Sequence, residues 1–297
     1  MNILITARKG FIAKNLFEQL GNEYELVSLE RKDLDLLDYE KVLDYLKNNN
    51  FDVVIHTATY DTAPKHSTKD PAKVLENHLK MFFNLARCEE YFGKMIFFGS
   101  GAEYDREHWV SKMKEDYFDR YVPKDQYGFA KYLMTKYALL SKKIYNLRLF
   151  GIFGKYDDFK VRIIPNLCRN AALDLPLIVD QNKYYDFLYV NDLVKIIKWF
   201  INNTPNEKAY NVCTGEVVDF KTIAEKISKI SGKDLNIEIK KQGLGKEYSG
   251  DNSLLLSELG DFQFCSLDES MKNVYEEYNQ NKEMFSKKLV EDCYGYA

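Results

Sequence analysis

The 297-residue chain has few of the residues from which metal centres and disulfide scaffolds are built. It contains five cysteines and four histidines, and no two cysteines form a Cys-x-x-Cys pair. Because zinc sites and disulfide frameworks need such groupings, we expect neither a metal site nor structural disulfides. An odd number of scattered cysteines is typical of reduced thiols in the cytoplasm.

Long apolar runs and an excess of one charge are also missing. No run approaches the ~18 apolar residues that a membrane-spanning helix needs, and the amino terminus lacks the apolar core of a secretion signal. The 42 Lys and Arg residues nearly balance the 45 Asp and Glu residues, for a formal net charge of −3. This balance argues against a nucleic-acid-binding surface. We therefore expect a soluble, cytoplasmic protein without a membrane or nucleic-acid partner.

The first half of the chain alternates short apolar segments with longer amphipathic ones. The predicted strands are residues 2–6, 25–29, 53–56, 94–98 and 144–149, and the predicted helices are residues 11–20, 39–48, 71–91 and 125–142. Strands and helices in turn require crossover connections, which favour a doubly wound parallel sheet. The predicted fold class is α/β, with a Rossmann sheet.

After Gly154 the alternation weakens. Predicted helices cover residues 161–172, 192–202 and 220–231, and predicted strands cover residues 178–182, 186–190 and 210–213. We predict a dinucleotide-binding Rossmann domain over residues 1–160, to which residues 183–218 return. A smaller C-terminal α/β lobe, mainly residues 161–297, would bind the substrate over the carboxyl edge of the sheet.

The loop between the first strand and the first helix reads Thr-Ala-Arg-Lys-Gly-Phe-Ile-Ala, residues 6–13. At such a turn, backbone N–H groups and the positive end of the helix bind a dinucleotide pyrophosphate. Of the pattern Gly-x-x-Gly-x-x-Gly only Gly10 remains, since Ala7 and Ala13 occupy the outer positions. Alanine restricts the first position if a positive φ is required there. Arg8 and Lys9 add cationic partners for phosphate; an ordinary turn is the alternative.

The end of the second strand gives a mixed signal about the cofactor. An acid at this point holds a ribose diol, whereas an arginine holds a 2′-phosphate. The chain offers Glu30, Arg31 and Lys32 in succession. Together with Arg8 and Lys9, this composition favours NADPH, with NADH as the alternative. A solvated loop would also explain Arg31 and Lys32.

Ser100, Tyr127 and Lys131 are the predicted catalytic residues. Tyr127 and Lys131 are four residues apart on a predicted helix and so share a face, and Ser100 follows the fourth strand. In carbonyl reduction a nicotinamide delivers hydride and a phenol delivers the proton. Ser100 would bind the carbonyl, and Lys131 would lower the pKa of Tyr127 and hold the nicotinamide ribose. Each residue alone would be unremarkable; their order and spacing favour catalysis.

These motifs together resemble the extended short-chain dehydrogenase/reductase family, in its group of nucleotide-sugar epimerases, dehydratases and 4-ketoreductases, and most closely the GDP-fucose synthase-like reductases. The resemblance implies a Rossmann domain, a nicotinamide cofactor, a nucleotide-diphosphate sugar as substrate, and a homodimer built on helices 71–91 and 125–142. The cofactor contacts that it implies are Arg8, Lys9, Gly10, Phe11, Ile12, Arg31, Asp35, Leu36, Ala58 and Lys131. The substrate contacts are Ala102, Arg169 and Lys246, of which the two cations could equally be surface charges.

Departures from the family pattern narrow the expected chemistry. Dehydratases carry Asp-Glu directly after the Ser or Thr, where this chain has Gly101 and Ala102. Glu103 comes one residue later, and along an extended strand it would point the opposite way. The fucose synthase-like enzymes epimerise through a cysteine and a histidine, where this chain has Ala102 and Arg162. Neither side chain can move a proton near neutral pH.

The expected function is therefore NAD(P)H-dependent reduction of a nucleotide-activated 4-keto-6-deoxy sugar for a surface glycan, without dehydration or 3,5-epimerisation. Two alternatives remain at this level. One is an NAD-dependent 4-epimerase of nucleotide sugars, for which Ser100, Tyr127 and Lys131 suffice. The other is a non-catalytic regulatory subunit on a reductase fold.

Overall fold

The apolar segments of the first half form neighbouring strands of one sheet. A computed structural model describes residues 1–60 and 69–285. The strands are β1 (Asn2–Thr6), β2 (Glu25–Leu29), β3 (Phe51–His56), β4 (Phe92–Ser100), β5 (Ile144–Leu149), β6 (Gly151–Phe153), β7 (Leu177–Asn182), β8 (Tyr184–Tyr185), β9 (Phe187–Tyr189), β10 (Ala209–Val212), β11 (Val218–Asp219) and β12 (Ile237–Leu244). The helices are α1 (Phe11–Leu20), α2 (Tyr39–Lys47), α3 (Val74–Ala86), α4 (Gln126–Ala138), α5 (Ile163–Ala172), α6 (Val190–Asn202), α7 (Phe220–Ser231), α8 (Ser253–Leu259) and α9 (Leu267–Gln280).

The central sheet has six parallel strands in the order β10-β5-β4-β3-β1-β2. This confirms the predicted α/β class with a doubly wound parallel sheet. The carboxyl ends of parallel strands meet at one edge of a sheet, where open α/β proteins bind their ligands. The loops that follow β1, β3, β4 and β5 therefore lie together.

Both faces of this sheet are covered by helices, as a buried parallel sheet requires. Ile3 and Ile5 of β1 pack with Leu16 of α1 and Phe200 of α6 on one face. Leu4, between them in sequence, faces a second core with residues of α2, α3 and α4. Successive strand residues thus feed opposite cores, which explains the continuous apolar runs.

A third core lies in the C-terminal part of the chain. Leu167 of α5, Ile223 of α7 and Val274 of α9 pack around Val179 of β7. Strands β7 and β12 pair in parallel, as do β6 and β9, while β8 and β11 are antiparallel. Strand β10 adds to the central sheet beside β5. The domain boundaries at residues 160, 183 and 218 remain a prediction.

Two predicted helices are shorter in the structure. The segment 71–91 contains α3 between two 3₁₀ turns, and α4 ends at Ala138 rather than at residue 142. Beyond α4 the Ser141 hydroxyl accepts the N–H groups of Lys143 and Ile144, which turns the chain into β5. Apolar periodicity predicts a helix that continues too far, because local side-chain hydrogen bonds, not periodicity, terminate the helix. Among the described helices, none is long and apolar enough to cross a membrane.

Candidate active site

A cleft of about 390 Å³ opens at the carboxyl edge of the central sheet. It is lined by the ends of β3, β4 and β5, by residues of α4 and α5, and by residues from the C-terminal part of the chain. The first turn of α1 contributes Phe11 and Ile12. Ser100, Tyr127 and Lys131 all line this cleft, as the sequence predicts.

Ser100 is fixed by a short 3₁₀ turn, residues 101–104, that begins where β4 ends. Its hydroxyl oxygen accepts the N–H of Ala102 at 3.2 Å, and the Glu103 carboxylate accepts the N–H of Ser100 at 2.9 Å. This reciprocal pair is a capping box, which holds both side chains in one arrangement. The expectation of an extended strand beyond Ser100 is therefore wrong.

Glu103 forms its hydrogen bonds in the protein interior and is not among the described residues that line the cleft. Its carboxylate is fully buried and accepts Nε of Arg148 at 2.8 Å, the Thr135 hydroxyl at 2.9 Å and the Asn146 amide at 3.2 Å. A buried ion pair is tolerated when its remaining hydrogen-bonding positions are filled in this way. Glu103 is committed to this network beneath the site.

Tyr127 and Lys131 lie one turn apart on α4. The Lys131 Nζ is 5.8 Å from the centre of the Tyr127 ring and donates to the Phe98 carbonyl at 2.7 Å. Burial lowers the pKa of Lys131 to about 8. Burial raises the pKa of Tyr127, although Ser100, Arg162 and Arg106 oppose the shift. The expectation of a lowered tyrosine pKa is thus wrong, because desolvation outweighs the nearby cations.

Two buried histidines support Tyr127 and the cofactor side of the cleft. The His78 ring stands edge-on to Tyr127 with centroids 5.5 Å apart, and it bonds the Thr59 hydroxyl at 2.7 Å. His56 lines the cleft, and burial lowers its pKa to about 3, so it is neutral at neutral pH. Sequence reasoning missed His78 because nothing marks a helical histidine as the neighbour of a residue on another helix.

The β1–α1 loop takes the tight turn that the glycine pattern requires, even with alanine in the first position. Ala7 has φ 56°, in the left-handed region that favours glycine. Its carbonyl accepts the N–H of Gly10 at 2.8 Å. A Cβ at Gly10 would lie 3.1 Å from that carbonyl oxygen. The first-turn N–H groups of α1 at Phe11 and Ile12 lie at the cleft, where an anion would meet the helix terminus.

Arg8 and Lys9 line a second depression of about 480 Å³, beside the β1–α1 loop. Lys14, Glu30 and Tyr156 also line it. Lys9 pairs with Glu30 at 2.9 Å and is largely exposed. The depression therefore combines three cations with two acids, Glu18 and Glu30, of which Glu30 follows β2.

Three predicted cofactor contacts lie elsewhere. Arg31 pairs with Asp35 at 3.2 Å on the surface, and Asp35 also accepts the N–H of Leu37. Leu36 is buried in the core formed with α2 and α3. Among the described residues that line the two depressions, Arg31, Asp35 and Leu36 are absent. Ala58 does line the cleft.

None of the three predicted substrate contacts is among the described residues that line the cleft. Ala102 is fully buried in the 3₁₀ turn. Arg169 is buried in the C-terminal core, where it bonds Asn170 at 2.8 Å and lies 4.8 Å over the Phe159 ring. Lys246 is at the surface and donates to the backbone carbonyls of residues 106 and 107 at 3.2 and 2.7 Å. Helix register and loop packing place these three side chains outside the lining, and their role as substrate contacts stays a prediction.

Sequence reasoning missed most of the other residues that line the cleft. Two arginines, Arg106 and Arg162, are among them. Arg106 bonds Asp125 at 3.3 Å and lies 5.3 Å over the Trp109 ring. Aromatic residues that also line the cleft are Trp109, Phe150, Tyr185, Phe187, Phe220 and Tyr248. The sequence marks Arg162 only as the residue that stands where the fucose synthase-like enzymes have a histidine.

Asp157 is the only carboxyl group among the described residues lining the cleft. One oxygen accepts the N–H of Asp158 at 2.8 Å, and the other is buried without a hydrogen-bond partner among the described residues. Burial raises the pKa of Asp157 to about 7, although Arg162 opposes the shift. Asp157 can therefore change its charge near neutral pH.

Comparison with known proteins gives three kinds of match. The family model described as "NAD dependent epimerase/dehydratase family" matches residues 3–213. A GDP-L-colitose synthase from Yersinia pseudotuberculosis is 24% identical over 283 residues, which cover 88% of this chain and 92% of that protein.

Two solved structures share the fold. A GDP-L-fucose synthetase from Naegleria fowleri bound to NADP has a TM-score of 0.83 at 18% identity, covering 95% of this chain and 93% of that one. A UDP-glucose 4-epimerase from Thermotoga maritima with UDP-glucose has a TM-score of 0.81 at 20% identity, covering 96% and 100%.

Proposed function

The chain belongs to the NAD dependent epimerase/dehydratase family, and from this membership we propose that it reduces a nucleotide-activated 4-keto-6-deoxy sugar with NADPH, to supply a deoxysugar for a surface glycan. The observation that carries the proposal is the meeting of Ser100, Tyr127 and Lys131 in one cleft beside the amino terminus of α1. The nicotinamide supplies hydride when it is bound. Tyr127 donates the proton to the oxygen that develops negative charge, and Ser100 binds the same oxygen.

The ammonium group of Lys131 lies near the ring of Tyr127. Its Nζ donates to the Phe98 carbonyl and retains two further protons for a ribose hydroxyl. With a pKa near 8 it is mostly protonated at neutral pH. The charge favours the tyrosinate that forms when Tyr127 loses its proton, because opposite charges in a buried site interact strongly.

The preference for NADPH is supported by the depression beside the β1–α1 loop. Arg8, Lys9 and Lys14 line it, and a 2′-phosphate would find three cations there. Glu18 also lines the depression, and Glu30 partly offsets the cations through its ion pair with Lys9. The NADP bound to the Naegleria fowleri GDP-L-fucose synthetase is consistent with this preference.

The substrate diphosphate would meet the two arginines of the cleft. Arg106 and Arg162 both line it. Guanidinium groups form forked hydrogen bonds with phosphate oxygens. We assign the role first expected of Arg169 and Lys246 to this pair.

Reduction without 3,5-epimerisation is supported by what lies around Ser100. Ala102 is buried, and Arg162 replaces a potential proton-carrying histidine. Asp157 is the one described carboxyl group in the lining whose pKa would suit a base. Proton exchange at the sugar carbons is therefore the decisive property to measure.

The test is turnover of a nucleotide 4-keto-6-deoxy sugar with NADPH in deuterated water. We expect NADPH oxidation in step with formation of the reduced sugar, and no deuterium at C3 or C5. Tyr127→Phe should lower kcat by about a hundredfold or more, since it removes the proton donor. Deuterium at C3 or C5 would overturn reduction without epimerisation, and Asp157→Asn would show whether Asp157 is the base.

A 4-epimerase is the second candidate. Glu30 at the end of β2 is the acid that would suit NAD, and the UDP-glucose 4-epimerase from Thermotoga maritima shares the fold. An epimerase would interconvert two nucleotide sugars without net consumption of added cofactor. A regulatory subunit would instead give no turnover, and its Tyr127→Phe variant would behave like the wild type.

A homodimer is also part of the proposal. Helices α3 and α4 belong to one core, and α4 is followed by Leu139 and Leu140, which are 46% and 87% exposed. Exposed leucines in sequence at a helix end are suited to burial against a second copy of the chain.

A further inference from the structure

Tyr248 lies beside Ser100 although no sequence pattern marks it. Its hydroxyl oxygen is 3.3 Å from Ser100 Oγ and 3.3 Å from the carbonyl oxygen of Leu149, and its single proton can be donated to either oxygen. Building on the proposed reductase function, we propose that Tyr248 is a positioning residue that sets the direction of the Ser100 hydroxyl during carbonyl reduction.

The hydrogen-bonding capacity of the Ser100 hydroxyl is the reason for this proposal. Its oxygen has two lone pairs and one proton, and the N–H of Ala102 fills one lone pair at 3.2 Å. If Tyr248 donates into the other lone pair, the proton of Ser100 is left for the substrate carbonyl. A hydroxyl that accepts two hydrogen bonds is also a better donor, because linked hydrogen bonds polarise one another. While Tyr127 donates its proton to the substrate, it does not donate to Ser100. The second lone pair of the Ser100 oxygen then stays open to Tyr248.

The same geometry excludes Tyr248 as a proton relay. The other group within hydrogen-bonding distance of its hydroxyl is the Leu149 carbonyl, which accepts but cannot supply a proton. A chain that runs from Ser100 through Tyr248 therefore ends in an acceptor. Tyr248 can orient the serine, but it cannot reprotonate the site by this route.

Tyr248 is held firmly enough to act in this way. Its backbone N–H donates to the Tyr184 carbonyl at 2.9 Å, and its carbonyl accepts the N–H of Asp186 at 3.0 Å. The ring packs against Trp109 and Phe150, with centroids 4.3 and 5.0 Å away. Packing and backbone hydrogen bonds together pre-organise the hydroxyl.

Gly101 provides the space that Tyr248 occupies. A Cβ at this position would lie 2.6 Å from Tyr248 Cε2 and 2.9 Å from its hydroxyl oxygen. This is the position at which the dehydratase pattern has an aspartate. Tyr248 in its present place leaves no room for an aspartate side chain at position 101. The close approach of Tyr248 and the departure from the dehydratase pattern therefore go together.

The kinetic test compares Tyr248→Phe with the wild type and with Tyr117→Phe, using a nucleotide 4-keto-6-deoxy sugar and saturating NADPH. Tyr117 lies in the same aromatic cluster and donates to the His108 carbonyl at 3.0 Å, so its variant loses an equivalent hydrogen bond outside the cleft. We expect Tyr248→Phe to lower kcat by about tenfold, the effect of one hydrogen bond, with KM within about twofold. Tyr117→Phe should leave kcat unchanged.

The dependence on Ser100 separates positioning from a general structural effect. In a Ser100→Ala background, Tyr248→Phe should cause no further loss of kcat. An equal loss in both backgrounds, or no loss in the wild-type background, would overturn the proposal.

A second double-mutant cycle, on the free energy of unfolding in urea, needs no substrate. The free energy of coupling between Ser100→Ala and Tyr248→Phe should differ from zero, and a value of zero would contradict the hydrogen bond itself. The proposed function fails separately, if Tyr127→Phe keeps wild-type turnover.

Discussion

At the scale of single residues, the site is defined by groups whose protonation depends on burial. Desolvation disfavours the charged form of every ionisable group, so it raises the pKa of Tyr127 and Asp157 and lowers that of Lys131 and His56. A neutral Tyr127 is the form that can donate a proton. The burial that stabilises this form also makes regeneration of the phenol favourable after each turnover.

Asp157 provides a pH-dependent prediction. Its pKa is about 7 in the folded protein, whereas the ordinary value is 3.8. Between these values the folded chain keeps a proton that the unfolded chain has released, so stability from this group is present below about pH 4 and is lost as the pH rises through 7. The wild type should lose stability relative to Asp157→Asn by up to about 1.4 kcal/mol per pH unit in this range.

Urea unfolding of both proteins at a series of pH values measures this difference. The asparagine keeps an oxygen that can accept the N–H of Asp158, so the local hydrogen bond survives in the variant. A difference in stability that does not change with pH would contradict the raised pKa of Asp157.

At the scale of elements, several motif residues act by joining parts of the scaffold. The Asp186 carboxylate accepts the N–H groups of Thr214 and Gly215 at 2.9 and 2.7 Å, which ties the strand β9 region to the loop after β10. Arg148 of β5 bonds Glu103 and also Asn211 of β10, at 2.8 and 3.1 Å. These polar groups hold the sheet edge on which Ser100 lies.

The β1–α1 loop is the element that should determine cofactor choice. Arg8→Ala and Lys9→Ala should each weaken NADPH binding by about tenfold, because each removes a cation that pairs with phosphate, and should change NADH binding little. Arg31→Ala is the matched control, since Arg31 pairs with Asp35 outside the depression. Fluorescence titration of both cofactors measures the affinities. Equal losses for NADPH and NADH would rule out a 2′-phosphate contact.

At the scale of the whole molecule, the cleft lies between the central sheet and the C-terminal lobe. Phe11 and Ile12 come from the first turn of α1, whereas Tyr185 and Tyr248 reach the cleft from the lobe. Residues from both parts of the chain thus line one cleft, which is a common place for a ligand site.

The exposed end of α4 gives the prediction at this scale. Light scattering during gel filtration should give about twice the chain mass of 34.9 kDa. Leu140→Asp should shift the protein towards the monomer, because a charge in an apolar interface is costly to bury. Leu244→Asp, at a residue 62% exposed on β12, should leave the dimer intact. A monomeric wild type, or a Leu140→Asp protein that stays dimeric, would refute the dimer.

The sequence by itself determined the class of fold, because the alternation of apolar strands with amphipathic helices admits few arrangements. It also predicted that Ser100, Tyr127 and Lys131 lie together, since strand ends and the four-residue spacing on a helix are local properties. It did not predict that Arg169 and Lys246 lie outside the cleft lining, because residue type was the only guide to them.

Only the tertiary structure decided what surrounds these three residues. Tyr248 is separated from Ser100 by 148 positions, and His78 reaches Tyr127 from another helix. Arg169 enters a core although it is charged, whereas Arg106 and Arg162 face the cleft. The physical reason is that such contacts depend on packing between distant segments, and no local pattern of charge or hydrophobicity encodes them.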